Sequence, residues 1–251
     1  VGGTGAGKTT FLNALTFFIP PAARIVSIED TRELNLEHSN WIPAVSRAGV
    51  GLANLVGQKY GEVTLFNLLK ESFRMNPDYV IVGEIRGDEA YVLFQGMASG
   101  HPSFGTMHAG SVDTMVKRLV TPPINLSASL VEVMDAVVIM THTKRENKNI
   151  RRVKEVVEIV EVKEGQTGAT VNKPFVWNPS TDTFDYISES YAFKRIASEQ
   201  GVDPKKLVSE FESKKIFLTK MYAHSVFDFH DVQEAINAYY KDPEGTLAKL
   251  R

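Results

Sequence analysis

The chain has 251 residues, 43% of them hydrophobic and 23% charged, with a formal charge of −2 and no cysteine. That length suits one large domain, or one domain with a small appendage, and a core of ordinary size. The near-neutral balance disfavours a protein whose main partner is nucleic acid, the lack of cysteine excludes disulfides and thiolate metal sites, and no apolar run reaches the ~18 residues of a membrane span.

The first residues carry the strongest signal. Gly2-Gly3-Thr4-Gly5-Ala6-Gly7-Lys8-Thr9-Thr10 fits G-x-x-x-x-G-K-[ST], a phosphate-binding loop. Its glycines permit backbone conformations that a side chain would forbid. Several N–H groups can then turn onto phosphate oxygens. Gly3, Thr4, Gly5, Ala6, Gly7, Lys8, Thr9 and Thr10 are therefore the nucleotide-binding candidates. Lys8 suits the β- and γ-phosphates and the Thr9 hydroxyl suits Mg²⁺. A helix over 9–18 follows and points its positive end at the anion. A glycine-rich turn with an accidental lysine is the bland alternative; the apolar helix opening at Phe11-Leu12 disfavours it. Val1 reads as the end of the strand that feeds this loop, which predicts an N-terminal region upstream of the chain.

Short apolar runs then alternate with helical patterns to about residue 140, the signature of a parallel sheet with crossover helices. Strands are expected over 24–28, 79–82, 103–107 and 136–140. Helices are expected over 61–74, 88–98 and 112–120, the last ended before Pro122-Pro123. Valine-rich segments between 152 and 187, divided by turn signals at Glu164-Gly165 and Asn178-Pro179, predict two or three antiparallel strands at the sheet edge. From Tyr191 the pattern is helical and charged, with breaks near 201–204 and at Asp242-Pro243. The chain thus divides into an α/β core over residues 1–188, with a mainly parallel sheet, and a small C-terminal helical unit over 189–251.

A phosphate loop needs partners to become an enzyme. The strand Tyr79-Val80-Ile81-Val82 ends in Gly83-Glu84. Gly83 stands where most P-loop enzymes carry a magnesium-binding Asp, and Glu84 is placed as general base or water-positioning group. An acid from a neighbouring strand end can then serve magnesium. Glu29, Asp30 and Glu33 in Ile28-Glu29-Asp30-Thr31-Arg32-Glu33-Leu34 are the candidates. His108 follows a short strand at the same edge and can face the phosphates, although a lone histidine is more often structural. The basic run Lys144, Arg145, Lys148, Arg151, Arg152 and Lys154 lacks interleaved aromatics for base stacking. It reads as a solvated hairpin tip.

Four segments occur in order: Gly-Gly-Thr-Gly-Ala-Gly-Lys-Thr-Thr, Ile-Glu-Asp-Thr-Arg-Glu-Leu, Val-Ile-Val-Gly-Glu-Ile-Arg-Gly-Asp-Glu-Ala and Gly-Thr-Met-His-Ala-Gly-Ser. They resemble the Walker A, Asp box, Walker B and His box of the type II/type IV secretion ATPase superfamily. Thr-Arg-Glu-Leu, Pro-Pro-Ile-Asn at 122–125 and Ala-Tyr-Tyr-Lys-Asp-Pro at 238–243 resemble its archaeal branch, which includes the archaellum motor. The resemblance implies a RecA-like core, ATP and Mg²⁺ as ligands, and a homohexamer in the full-length protein. It further implies a membrane platform protein as partner, a place at the cytoplasmic membrane face, and no nucleic acid. It assigns Lys8 and Thr9 to phosphate and Mg²⁺, with Asp30 as a further metal candidate. Catalytic water positioning falls to Glu84, with Glu33, and γ-phosphate contact to His108. Arg32, Arg86 and Arg118 become candidates for stabilising transition-state charge or pairing across subunits. The leading expectation is ATP hydrolysis coupled to mechanical work in assembly or secretion of an archaeal pilus, archaellum or type II/IV secretion-like system. The alternative is a RecA-like nucleic-acid translocase. Lys8→Ala should abolish nucleotide binding or hydrolysis, because the point charge on the phosphates is lost; unchanged turnover in the complete protein would end the P-loop argument.

Overall fold

The computed structural model describes residues 1–53, 59–163 and 168–250, so the expected turn at Glu164-Gly165 lies outside the described residues. Its first helix, α1 (Lys8–Thr16), starts directly from the glycine loop. Four short strands form a parallel sheet in the order β2-β1-β3-β4: β1 (Ile25–Glu29), β2 (Trp41–Val45), β3 (Tyr79–Val82) and β4 (Ser103–Gly105). Between them run α2 (Leu65–Ser72) and α3 (Glu89–Ala98), and α4 (Val112–Val120) and α5 (Ala128–Val131) follow. Alternate strand residues face opposite sides. Ile25 and Ile81 pack with Leu12 of α1, while Val26, Ile28, Val80 and Val82 pack with Leu69, Leu93 and Val116 of α2, α3 and α4. Cover on both faces explains why β1 and β3 are almost wholly apolar.

Local chemistry sets the helix ends. The Thr64 side chain accepts from the Asn67 amide and starts α2 four residues later than the pattern suggests. A 3₁₀ turn over Phe73–Met75 and a left-handed Asn76 then end it. Ser111 caps α4 in the same way as Thr64 caps α2. Gly96 lets α3 lie against α2, since a Cβ there would stand 2.1 Å from the Phe73 ring.

The segment 136–140, expected as a fourth strand of the parallel sheet, belongs instead to a separate antiparallel sheet. That sheet runs in the order β5 (Val137–Arg145), β6 (Lys148–Val162), β7 (Ala169–Asn178), β8 (Thr183–Tyr186). The reason is the tight hairpin after β5. Glu146 and Asn147 both adopt positive φ, 48° and 62°, the two-residue loop that matches the twist of antiparallel strands. Strand β2 was not expected at all; Pro43 lies within it, and its mostly exposed face suits an edge.

Val1 and Gly2 lie alongside β5. The Val1 nitrogen donates to the Val138 carbonyl at 2.7 Å, and the Met140 amide donates to the Val1 carbonyl at 2.7 Å. Gly2 bridges Met140 in parallel fashion. The glycine loop therefore emerges between the two sheets. Beside it lies a cavity of about 780 Å³, lined mainly by apolar residues such as Leu12, Phe94, Phe104, Met115 and Val137.

Four helices complete the chain: α6 (Tyr191–Gln200), α7 (Pro204–Ala223), α8 (Phe229–Lys241) and α9 (Pro243–Lys249). Left-handed Gly201 ends α6, and Asp203 and Asp242 cap helices that begin with proline. Phe217, Met221, Ile236 and Tyr239 form their core, against which Phe17 and Phe18 pack from the end of α1. Gln233 and Tyr240 donate to the carbonyls of Phe17 and Phe18. The tail thus holds one end of the helix whose other end opens the glycine loop.

Glu158 of β6 ties the antiparallel sheet to α6. Its buried carboxylate accepts from the Ser190 hydroxyl, the Asn172 amide and the Tyr191 and Ala192 backbone N–H groups. Burial pushes its pKa up, but these donors outweigh burial and hold it below the ordinary carboxylate value. The stabilisation is therefore complete above the unfolded carboxyl pKa and is lost as pH falls through the lower folded value. Glu158→Ala should lower stability by about 2–3 kcal/mol at neutral pH, and the gap to wild type should shrink in melts run progressively below about pH 4.

Candidate active site

Gly5 and Gly7 adopt φ of 69° and 89°, a region that favours glycine. Gly7 is the N-cap of α1 and no side chain caps that helix. Its first-turn amides are therefore free for an anion. A pocket of about 620 Å³ opens over the loop, reached by Thr4, Gly5, Gly7, Lys8, Thr9 and Thr10. Ala6 is buried beneath it. Gly3 contributes its carbonyl, which accepts from Lys8 Nζ at 3.1 Å.

Three strand tips reach the same pocket. Lys8 Nζ stands 3.4 Å from His108 Nδ1, and His108 Nε2 stands 3.3 Å from Glu84 Oε1. An ammonium group can only donate. Nδ1 therefore accepts, and Nε2 carries the proton that points to Glu84. The other Glu84 oxygen takes a charge-assisted bond from Arg86, whose guanidinium also lies 3.8 Å from Asp30. Partial burial raises the Glu84 pKa, but Arg86, with help from His108 and then Lys8, brings it below the ordinary carboxylate value. Glu84 is thus a carboxylate at neutral pH. Lys8 lies below its usual value through desolvation, opposed by Glu84 and Glu33.

Strand β1 brings a further acid to the pocket. Glu29 is 2% exposed and lines the pocket. Its Oε1 accepts from the Glu33 and Leu34 amides, both at 3.0 Å, while its Oε2 has no partner. A buried unpaired carboxylate oxygen is costly unless something polar or cationic meets it. Gly83 makes room for it: a Cβ at Gly83 would stand 2.9 Å from Glu29 Cγ. Asp30, Thr31 and Glu33 line the same side, with Asp30 accepting from Ser46.

Two candidate arginines stand elsewhere. Arg32 lies over the Trp41 ring, 4.8 Å from its centroid, and does not line the pocket. Arg118 donates to the His108 carbonyl and so supports the loop without lining the pocket. The basic run needs correction. Arg145 and Arg152 bind Asp182, and Arg151 reaches the glycine loop, where its Nε donates to the Gly5 carbonyl at 2.7 Å. The signal was the hairpin register: Met140 pairs with Val153 and bridges Gly2, so Arg151 falls beside the loop.

Residues 1–177 match the model of the family described as type II/IV secretion system protein. The uncharacterized protein MJ1287 of Methanocaldococcus jannaschii is 40% identical over 220 residues, covering 88% of this chain and 79% of that protein. The type IV secretion system protein PtlH of Bordetella pertussis is 36% identical over 163 residues, covering 60% and 46%. Among solved structures, the VirB11 ATPase of the Brucella suis type IV secretion system, in complex with sulphate, aligns with a TM-score of 0.50 at 32% identity, covering 62% of this chain and 46% of its own. The chain spans less than half the length of these last two.

The contact between Gly83 and Glu29 is directly testable. Gly83→Ala should destabilise the fold by about 1–3 kcal/mol, the cost of forcing a methyl group into filled space. In a Glu29→Ala background the same substitution should cost much less. Chemical denaturation of the four variants in a double-mutant cycle measures this; an undiminished loss would show that the two positions do not touch.

Proposed function

The chain belongs to the type II/IV secretion system protein family, and from that premise we propose that it hydrolyses ATP to drive a secretion or pilus-type machine. The observation that carries this reading is the connected row Lys8–His108–Glu84 beside an uncapped helix terminus. Terminal-phosphate transfer is mostly positioning and charge stabilisation, and this row offers both. Lys8 supplies a cation for the β- and γ-phosphates. His108 accepts a hydrogen bond from Lys8 and donates one to Glu84, so an arriving terminal phosphate would compete for both Lys8 and His108. Glu84, ionised and paired with Arg86, is suited to orient a water for attack. Glu33, at the pocket wall, is the second candidate for that role.

A divalent cation fits the residues present. Four carboxylates (Glu29, Asp30, Glu33, Glu84) and three permanent cations (Lys8, Arg86, Arg151) line the pocket. A polyanion entering such a lining needs added positive charge. Thr9 and the unpaired Glu29 oxygen are the groups best suited to hold Mg²⁺, with Asp30 at the same wall. Held there together with ATP, Mg²⁺ would supply positive charge against the charge that develops on the phosphates.

Coupling to mechanical work is supported by the family and by the architecture. Helix α1 joins the glycine loop to the helical tail through Phe17 and Phe18, so loop movement has a route to α7 and α8. We assign the complete protein to a homohexameric ring acting with a membrane platform at the cytoplasmic face. The M. jannaschii relative favours an archaeal machine, a pilus or archaellum included. Among the described residues no helix is long and apolar enough to cross a membrane.

Glu84→Gln should leave ATP binding within a few-fold of wild type and cut kcat by about 10²- to 10⁴-fold. Turnover and nucleotide affinity measured on the full-length protein check this, and wild-type turnover would move the water-positioning role to Glu33.

A further inference from the structure

We propose that Arg151 is a nucleotide-binding residue that grips the diphosphate shared by ATP and ADP, reaching it from the antiparallel sheet. The inference rests on the nucleotide reading above and adds a contact that the phosphate-loop pattern does not contain.

Two independent contacts fix the side chain on the loop. Its Nε donates to the Gly5 carbonyl at 2.7 Å. Its aliphatic stem packs on Gly7, so closely that a Cβ there would stand 3.2 Å from Arg151 Cδ. With Nε engaged, both Nη groups remain, and Arg151 lines the pocket. The neighbouring arginine makes the contrast. Arg152 is satisfied by Asp182 through Nε at 2.9 Å and Nη2 at 2.8 Å. Arg151 forms no ion pair among the described residues, although the same hairpin offers a carboxylate to Arg145 and Arg152. A pre-oriented guanidinium with free Nη groups beside uncapped helix amides suits a phosphate oxygen.

Position selects which phosphate. Lys8, Glu84 and His108 meet on the flank of the loop formed by β3 and β4. Arg151 comes from β6, whose partner β5 is bridged by Gly2 at the start of the loop. The terminal phosphate belongs to the first flank, so Arg151 meets the α- and β-phosphates.

The test is equilibrium binding of Mg·ADP and of a Mg-bound non-hydrolysable ATP analogue to wild type, Arg151→Ala, Arg151→Gln and Arg151→Lys. Arg151→Ala should weaken both ligands by a similar factor of about 10- to 100-fold. Gln can still donate an N–H to the Gly5 carbonyl but carries no charge. It should therefore be as weak as Ala, while Lys restores part of the affinity. Binding should also lose salt dependence in the Gln variant relative to wild type. If Arg151 only braces the loop, Gln restores full affinity and the proposal falls. It falls equally if Ala binds ADP as wild type does, or if only the ATP analogue is weakened. Wild-type protein that binds neither ligand would instead overturn the nucleotide reading itself. Arg151 is exposed, so all variants should keep wild-type melting behaviour.

Discussion

The site is organised around a cation placed where a cation is unwelcome. The N-terminus of α1 carries partial positive charge from its unpaired amides, and Lys8 adds a full one at the same point. The chain relieves this by bending the ammonium back to the Gly3 carbonyl and to His108. That arrangement is a substitute for an anion rather than a good home for a lysine. A phosphate at this point would remove the conflict, because amides and ammonium would then face the same negative group. The short parallel strands serve this point by delivering their C-terminal ends, with Glu29, Glu84 and the residues leading to His108, to one side of it.

Much of this was legible in the residues, for identifiable reasons. Strand β3 and helix α4 have the predicted limits because a β-branched run between turn residues, and a serine before an amphipathic helix, are strong local signals. The glycine loop was legible as a loop because its backbone, with positive φ at Gly5 and Gly7, demands glycine at fixed places. Sheet membership was not legible. The run 136–140 looks the same whether it joins a parallel or an antiparallel partner, and the decision lies in the two-residue loop at Glu146-Asn147. Edge strand β2 escaped because Pro43 and partial exposure hide its pattern. The place of Arg151 beside the loop was invisible for a similar reason: it depends on strand pairing that brings it to Gly5, 146 positions away in sequence.

The same pairing gives the antiparallel sheet a role beyond closing the core. It flanks the phosphate loop, pins Val1 through β5, and brings Arg151 over Gly5 and Gly7. Its far side is anchored to α6 through Glu158, and the tail in turn grips the end of α1. The loop is thus braced at both ends of its own helix and from both neighbouring sheets. Such bracing holds the loop in one geometry.

The glycine at the tip of β3 leaves room for an acid from the neighbouring strand. Ile28 pairs with Val82 in parallel register, so Glu29 lies beside Gly83. Neighbouring strands are about 4.8 Å apart, a gap that glutamate can cross and that a side chain at 83 would block. The absent Cβ at Gly83 and the extra methylene of Glu29 are therefore complementary. The Gly83 amide donates to the Ile28 carbonyl at 2.9 Å and Thr106 donates to the Gly83 carbonyl, so the backbone cannot drift to reopen or close the gap. Two amides hold one Glu29 oxygen and leave the other unpaired. A carboxylate fixed on one side and bare on the other is oriented before its partner arrives, which lowers the ordering cost at the moment of binding.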